Sequence, residues 1–284
     1  MGEGSFHVHA APALSLNSLM AEFLRAKTNA GRSARYLDTL LYSVGKFVNA
    51  HDGVPCRQVT PQMIEAWLDD QRLALRTKAG LLGDLRTLFG FALKRQYVEA
   101  NPALAVEMPE TSAGVVQVHT PAQVRAVLDF ALRTDKDICR ALAVRYFAGL
   151  RTAESERLEE KDISDTTIEV TAANAKTRAR RLVTIQPNLR AWLATGGVLP
   201  SPRVTSRRMV EFNAKLKRET GIPWPHNATR HSFVSYHLAK FENAGKTALE
   251  AGHAEQILFQ HYRAVVTREA AEEFFTIFPA KPTQ

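Results

Sequence analysis

Apolar residues recur at three- and four-residue intervals along most of this chain, and only between Thr166 and Ile185 does the pattern shorten to that of strands. The period decides which face of an element can be buried, so the expected fold is mainly α with a small β-sheet. Leu19, Met20, Phe23 and Leu24 predict a helix from about Ser15 to Asn29. Leu37, Leu40, Leu41, Val44, Phe47 and Val48 predict a second, amphipathic one. Thr60-Pro61 has the form of an N-cap followed by a first-turn proline and opens a third. A longer fourth helix carries Leu81, Leu85, Leu88, Phe89, Ala92 and Leu93 on one side and Lys78, Arg86, Lys94 and Arg95 on the other, exposed side. Asn101-Pro102 is expected to stop it.

Residues 107–119 lose this period and contain Pro109 and Gly114, which marks a linker between two domains. The expected organisation is a disordered tail at 1–13, a helical domain at 14–106, the linker at 107–119 and a second, mixed α+β domain at 120–284. A length of 284 residues suits two such units. In the second, Thr120-Pro121 starts a helix, an apolar one follows from about Lys136 to Phe147, and the strands Thr167–Thr171 and Leu182–Ile185 flank a basic loop. That loop reads Lys176-Thr177-Arg178-Ala179-Arg180-Arg181, the tip of a positive hairpin. Helices return from about Val204. The last, from about Thr267 to Ile277, carries Phe274, Phe275 and Ile277 for packing at home or on a neighbouring protomer.

The balance of 37 Lys+Arg against 29 Asp+Glu leaves a formal net charge of +8, which favours a polyanionic partner. Cys56 and Cys139 lie far apart without metal-type spacing and are read as reduced thiols, and His7 and His9 belong to the tail. No apolar run approaches the roughly 18 residues of a membrane span, and no leader pattern opens the chain. A soluble cytoplasmic protein is expected.

Four segments of the second domain carry reactive side chains: Gly149-Leu150-Arg151-Thr152-Ala153-Glu154, Lys176 on the hairpin, Asn227-Ala228-Thr229-Arg230-His231, and the stretch from Gly252-His253 to Tyr262. Singly, each has an ordinary explanation. Arg151 with Glu154 makes a surface pair, Lys176 a solvated charge, Gly252-His253 a helix end and Tyr262 half-buried packing. Their order and spacing say more. The sequence resembles the tyrosine recombinase, or phage integrase, family, which has a Gly-Leu-Arg-x-x-Glu box, a hairpin lysine, a His-x-x-Arg-His box, a Gly-His pair and a tyrosine nine residues after that histidine. The likeness extends to the first domain, which resembles the family's helical core-binding domain.

The resemblance implies a site-specific recombinase that clamps double-stranded DNA and cuts and rejoins it through a 3′-phosphotyrosyl link, with no metal or nucleotide cofactor. Tyr262 would be the nucleophile, since a phenol both attacks phosphorus and leaves again more readily than an alkoxide. Arg151 and Arg230 would hold the non-bridging oxygens with forked hydrogen bonds. Lys176 would protonate the leaving 5′-oxygen, and His253 would bind a non-bridging oxygen or assist proton transfer at Tyr262. Glu154 would orient the arginine or histidine side chains. Lys78, Arg86, Arg178, Arg180 and Arg181 would touch phosphates, and His261 and Arg263 would favour the phenolate.

One position departs from the family pattern: Asn227 stands where a histidine is usual. His226 lies one residue early, a shift of about 100° on a helix. Asn227 is therefore expected only to bind phosphate, and His231 to pack or support. The family's usual assembly implies four protomers on two DNA sites. Three alternatives are a weakened DNA-binding protein on the same scaffold, a nicking-closing enzyme of the type IB topoisomerase kind, and a metal-dependent nuclease, though the acidic residues here are scattered.

Overall fold

The computed structural model describes residues 14–111, 114, 116–175, 179–199, 206–262 and 265–280. The chain divides into two compact units, Met1–Ala113 and Gly114–Gln284. Each has its own buried apolar cluster. Among the described residues, no helix is long and apolar enough to cross a membrane.

The first unit is built from α1 (Leu16–Asn29), α2 (Ala34–Ala50), α3 (Pro61–Asp70) and α4 (Leu75–Lys94). Hydroxyl oxygens of Ser15, Ser33 and Thr60 cap the first three by accepting from Ser18, Tyr36 and Met63 backbone N–H groups. Phe47 of α2 lies edge-on to Trp67 of α3 at 5.3 Å and to Phe89 of α4 at 6.4 Å, which ties three helices through one ring. The helix α4 ends before Asn101-Pro102. Gln96, at φ 59, turns the chain, and Tyr97 N donates to Ala92 O at 2.9 Å, closing the helix end.

Arg86 corrects the expectation of a uniformly exposed basic face on α4. Its Nε donates to Ala103 O at 3.0 Å and its Nη2 to Val106 O at 2.7 Å, so it holds the chain that follows the helix. Lys78 is also half-buried, 4.0 Å from Asp69, whereas Lys94 and Arg95 are exposed.

The second unit opens with α5 (Pro121–Thr134), started by a reciprocal cap between Thr120 and Gln123, and α6 (Lys136–Phe147), capped by Asp135. The core forms around α6, whose Leu142, Tyr146 and Phe147 are fully buried. The short α7 (Thr152–Ser155) leads to the strands β1 (Thr167–Val170) and β2 (Arg181–Thr184). They pair antiparallel, with Thr167 opposite Thr184 and Val170 opposite Arg181. The predicted hairpin is therefore present in its strands, while Lys176, Thr177 and Arg178 of its loop lie outside the described residues.

Among the described residues, six helices complete the unit: α8 (Pro187–Leu193), α9 (Ser206–Thr220), α10 (Ala228–Phe241), α11 (Ala244–Ala251), α12 (Glu255–His261) and α13 (Arg268–Phe275). The last packs on its own chain. Phe274 stacks on Tyr236 of α10 with ring centroids 4.4 Å apart, and Ile277 O accepts from Trp192 Nε1 at 2.8 Å. Phe274, Phe275 and Ile277 are all buried there. Replacing Phe274 by alanine should cost the second unit about 3–5 kcal/mol in urea unfolding. A loss under about 1 kcal/mol would mean that α13 is not an integral part of this core.

Candidate active site

Gly149 makes the turn that launches the first functional segment. Its φ is +61°, and a β-carbon added there would lie 2.1 Å from Phe233 Cδ1, so a side chain is excluded on both counts. The turn sends Leu150 into the core and leaves Arg151 as the residue before α7. Glu154 then folds back: one carboxylate oxygen accepts from Arg151 N at 2.9 Å and the other from Arg151 Nη1 at 2.7 Å. Ser155 Oγ accepts from Arg145 Nε at 2.6 Å, which pins the short helix to α6.

The end of α11 gathers three arginines from distant parts of the chain. Gly252, at φ +63°, turns the helix off, and His253 N donates back to Ala248 O at 3.0 Å. The next carbonyls are left for other donors. Glu250 O accepts from Arg181 Nε at 2.9 Å, Ala251 O from Arg230 Nη2 at 2.5 Å and Gly252 O from Arg151 Nη2 at 2.7 Å. Arg230 Nη1 also donates to Gly149 O at 2.5 Å. Arg151 and Arg230 are thereby brought to one place and aimed by backbone.

Arg181 belongs to this framework, which corrects its expected role as a phosphate contact. Its side chain is 8% exposed, and its Nη2 lies 2.6 Å from Glu154 Oε2. Burial alone would raise the Glu154 carboxyl, but hydrogen bonds from Arg181 and from Arg151 outweigh it and hold the group at about 2. Burial, and then the Arg151 charge, press Arg230 down to about 9, which leaves it cationic at neutral pH. Arg180, also expected on phosphate, is exposed and lies 2.5 Å from Glu169.

Tyr262 follows α12 and is buried, with 5% of its surface exposed. Its Oη is 2.6 Å from Nδ1 of His231, in the first turn of α10. Burial raises its pKa, while the Arg230 and Arg151 charges pull it down, and the net shift is upward. Of the flanking cations expected to favour the phenolate, Arg263 lies outside the described residues; the lowering charges on the phenol are those of Arg230 and Arg151. The His253 ring lies 5.9 Å from that of Tyr262, and its Nδ1 is buried without a hydrogen-bond partner among the described residues. Burial first, then Arg230 and Arg151, lower His253 to about 3, so it is a neutral imidazole. A groove of about 590 Å³ passes Arg180, Arg181, Gly252, His253 and Glu255.

Asn227 is exposed and precedes α10 with φ 55° and ψ 22°, a left-handed conformation that asparagine tolerates better than most residues. His226 is not on the helix. It is exposed, and its charge bears on His231. His231 is the functional candidate that the sequence reading undervalued. Nothing in the sequence alone shows that it meets a phenol 31 residues away, and its signal was its place at the end of the box that carries Arg230. Among the described residues, no three His, Cys, Asp or Glu side chains are grouped as a shared metal ion would require.

The Glu154 carboxylate predicts an acid transition with a definite sign. Its folded pKa lies below the ordinary 4.5, so its contribution is complete above about pH 4.5 and is lost as pH falls through about 2. The shift corresponds to about 3 kcal/mol. Urea midpoints measured from pH 5 to about 2 should fall more steeply for the natural protein than for Glu154→Gln. Equal slopes would refute the buried ionic bridge.

No family model matches the chain, and no curated protein does. Solved structures do match. A lambda integrase dimer bound to a COC′ core site superposes with a TM-score of 0.74 at 14% identity, over 89% of this chain and 98% of that one. The Tn1549 transposon integrase in complex with a circular intermediate DNA gives 0.70 at 15%, over 91% and 98%. A lambda integrase tetramer bound to a Holliday junction gives 0.69 at 13%, over 87% and 80%. The chain, mainly helical with a small two-stranded sheet, shares the fold of these integrases.

Proposed function

We propose that the second unit cuts and rejoins double-stranded DNA through a covalent bond between Tyr262 and a 3′-phosphate. The observation that carries this reading is the pairing of Arg151 and Arg230 on adjacent carbonyls, with both charges acting on the Tyr262 phenol. A phosphodiester repels nucleophiles because its non-bridging oxygens are negative, and that charge grows in the transition state. Guanidiniums fixed before the substrate arrives stabilise it without reorganisation. The contacts with Gly149, Glu154, Ala251 and Gly252 leave further N–H groups on both arginines for phosphate.

In the first step the Tyr262 Oη–P bond forms and the P–O5′ bond breaks. Lys176, from the hairpin loop, gives the leaving oxygen its proton, and neutral His253 donates an N–H to a non-bridging oxygen. The phosphotyrosine conserves the ester bond, so a 5′-hydroxyl from a partner duplex can attack it and release Tyr262 with no ATP. A second round resolves the junction. Glu154 orients Arg151, while Asn227, facing solvent, is left with a phosphate contact.

The solved structures of the same fold are DNA complexes, one of them a tetramer on a Holliday junction. By analogy we assign this chain a DNA substrate and a four-protomer assembly. The helical first unit is assigned the duplex-gripping role, with Lys78, Lys94 and Arg95 as its cations, and Arg178 on the hairpin loop a phosphate contact.

A pool of nicked duplexes with randomised arms provides the test, because a nick lets the cleaved fragment diffuse away and traps the adduct. The natural protein should retain DNA through boiling in detergent. Tyr262→Phe should bind the recovered duplexes equally and retain none, and Arg151→Lys should cut roughly 10²–10³-fold more slowly. Covalent capture by Tyr262→Phe, or none by the natural protein, would defeat the proposal.

A further inference from the structure

We infer that His231 is the base for Tyr262, taking the phenolic proton on Nδ1 as Oη attacks phosphorus. The inference rests on the cleavage reading above and assigns it a residue that the sequence marked only as support. A base must lie within hydrogen-bond reach of the proton it removes. His231 Nδ1 is 2.6 Å from Tyr262 Oη, with the rings tilted by 40°. His253 makes no hydrogen bond to Oη, and its ring stands 5.9 Å off. Asn227 carries an amide, which cannot take a proton in this range.

The placement of His231 follows from α10. His231 N donates to Asn227 O at 2.9 Å, the first helical bond of that segment, so the imidazole is four residues along from the position where an amide stands. Arg230 precedes it and is anchored at both terminal nitrogens, which fixes the turn carrying both side chains. The groups whose charge bears on the pair are Arg230, Arg151, His226, His253 and His261. Burial, and then His226, Arg230 and His261, disfavour the imidazolium. The resting ring is therefore neutral and has one nitrogen free to accept.

The step balances. The Oη–H proton moves to Nδ1, the Oη–P bond forms, P–O5′ breaks, and O5′ takes a proton from the general acid. In rejoining, the 5′-hydroxyl gives its proton back to the deprotonated general acid and attacks phosphorus, Oη leaves, and Nδ1–H returns its proton to the phenolate. Nothing is consumed, and the imidazole ends as it began.

A hydrogen bond that only anchors a buried phenol would need the same distance, so the experiment must separate acceptor from base. On DNA-free protein, ¹⁵N NMR of His231, identified by loss of its signals in His231→Asn, should show an unprotonated Nδ1 and a protonated Nε2. A proton on Nδ1 would overturn the inference, because the ring would then be donating to Oη. His231→Asn retains an acceptor oxygen near the Nδ1 position but cannot hold the proton. On duplexes captured by the natural protein, it should keep its Tm and DNA affinity yet cleave roughly 10²–10⁴-fold more slowly near neutral pH. The deficit should shrink as pH rises toward the phenol's own pKa, and added imidazole should restore part of the rate to His231→Ala. Cleavage by His231→Asn at the natural rate across that pH range would leave His231 an anchor and refute the inference while the Tyr262 reading stood. Absence of any adduct with the natural protein would sink the Tyr262 reading itself, and the tautomer would still report on the pair.

Discussion

Three consecutive carbonyls at the end of α11 hold the site together. Helix ends present acceptors that the helix itself cannot satisfy, and they carry the negative end of its dipole. In most proteins water or a lysine tip meets them. Here Glu250, Ala251 and Gly252 each receive a guanidinium, from Arg181, Arg230 and Arg151. Like charges are thereby brought close in a half-buried place, as the lowering of Arg230 by Arg151 registers. The carbonyl dipoles and the Glu154 carboxylate offset that repulsion. Gly252 matters because its left-handed turn closes the helix on Ala248 and leaves the later carbonyls open.

Much of this was legible in the sequence wherever the signal was local. Thr60-Pro61 and Thr120-Pro121 marked helix starts because hydroxyl capping and a fixed proline φ act within four residues. The alternation on either side of the basic loop gave the hairpin, since period two belongs to strands alone. Arg151, Arg230, His253 and Tyr262 were singled out by order and spacing, and they do share one neighbourhood. The roles of individual cations were not legible. Arg86 and Arg181 look the same in a sequence whether they face water, a phosphate or a carbonyl, and both turned out to hold backbone. Asn227 read as a histidine lost. The structure adds a conformational reason for an asparagine, because its φ of 55° is costly for most side chains.

Burial and the fixed cations oppose each other at the Tyr262 phenol and act together on Arg230, His231 and His253. Desolvation raises the Tyr262 phenol and lowers Arg230, His231 and His253, in each case against the charged form. The fixed cations then act selectively. They pull the phenol back toward ionisation while making the imidazolium forms still less favourable. Without substrate the site thus holds cationic guanidiniums beside neutral rings, with the Glu154 carboxylate as their anionic partner.

On the cleavage reading, a phosphodiester entering that site would add further negative charge. Its non-bridging oxygens offset the guanidiniums, and the repulsion that kept the imidazoles unprotonated weakens with them. On the proposed cleavage reading, the proton affinity of His231 would therefore rise when the proton on Tyr262 has to leave, while the phenolate that forms would be spent at once on phosphorus. Ionising the phenol before the phosphate arrives would place a second anion in the path of the first. Coupling proton acceptance to substrate charge would avoid that conflict, and it requires only that the acceptor be an imidazole close to the same arginines proposed to bind the phosphate. Beside Arg230, and within hydrogen-bond distance of Oη, His231 meets both conditions.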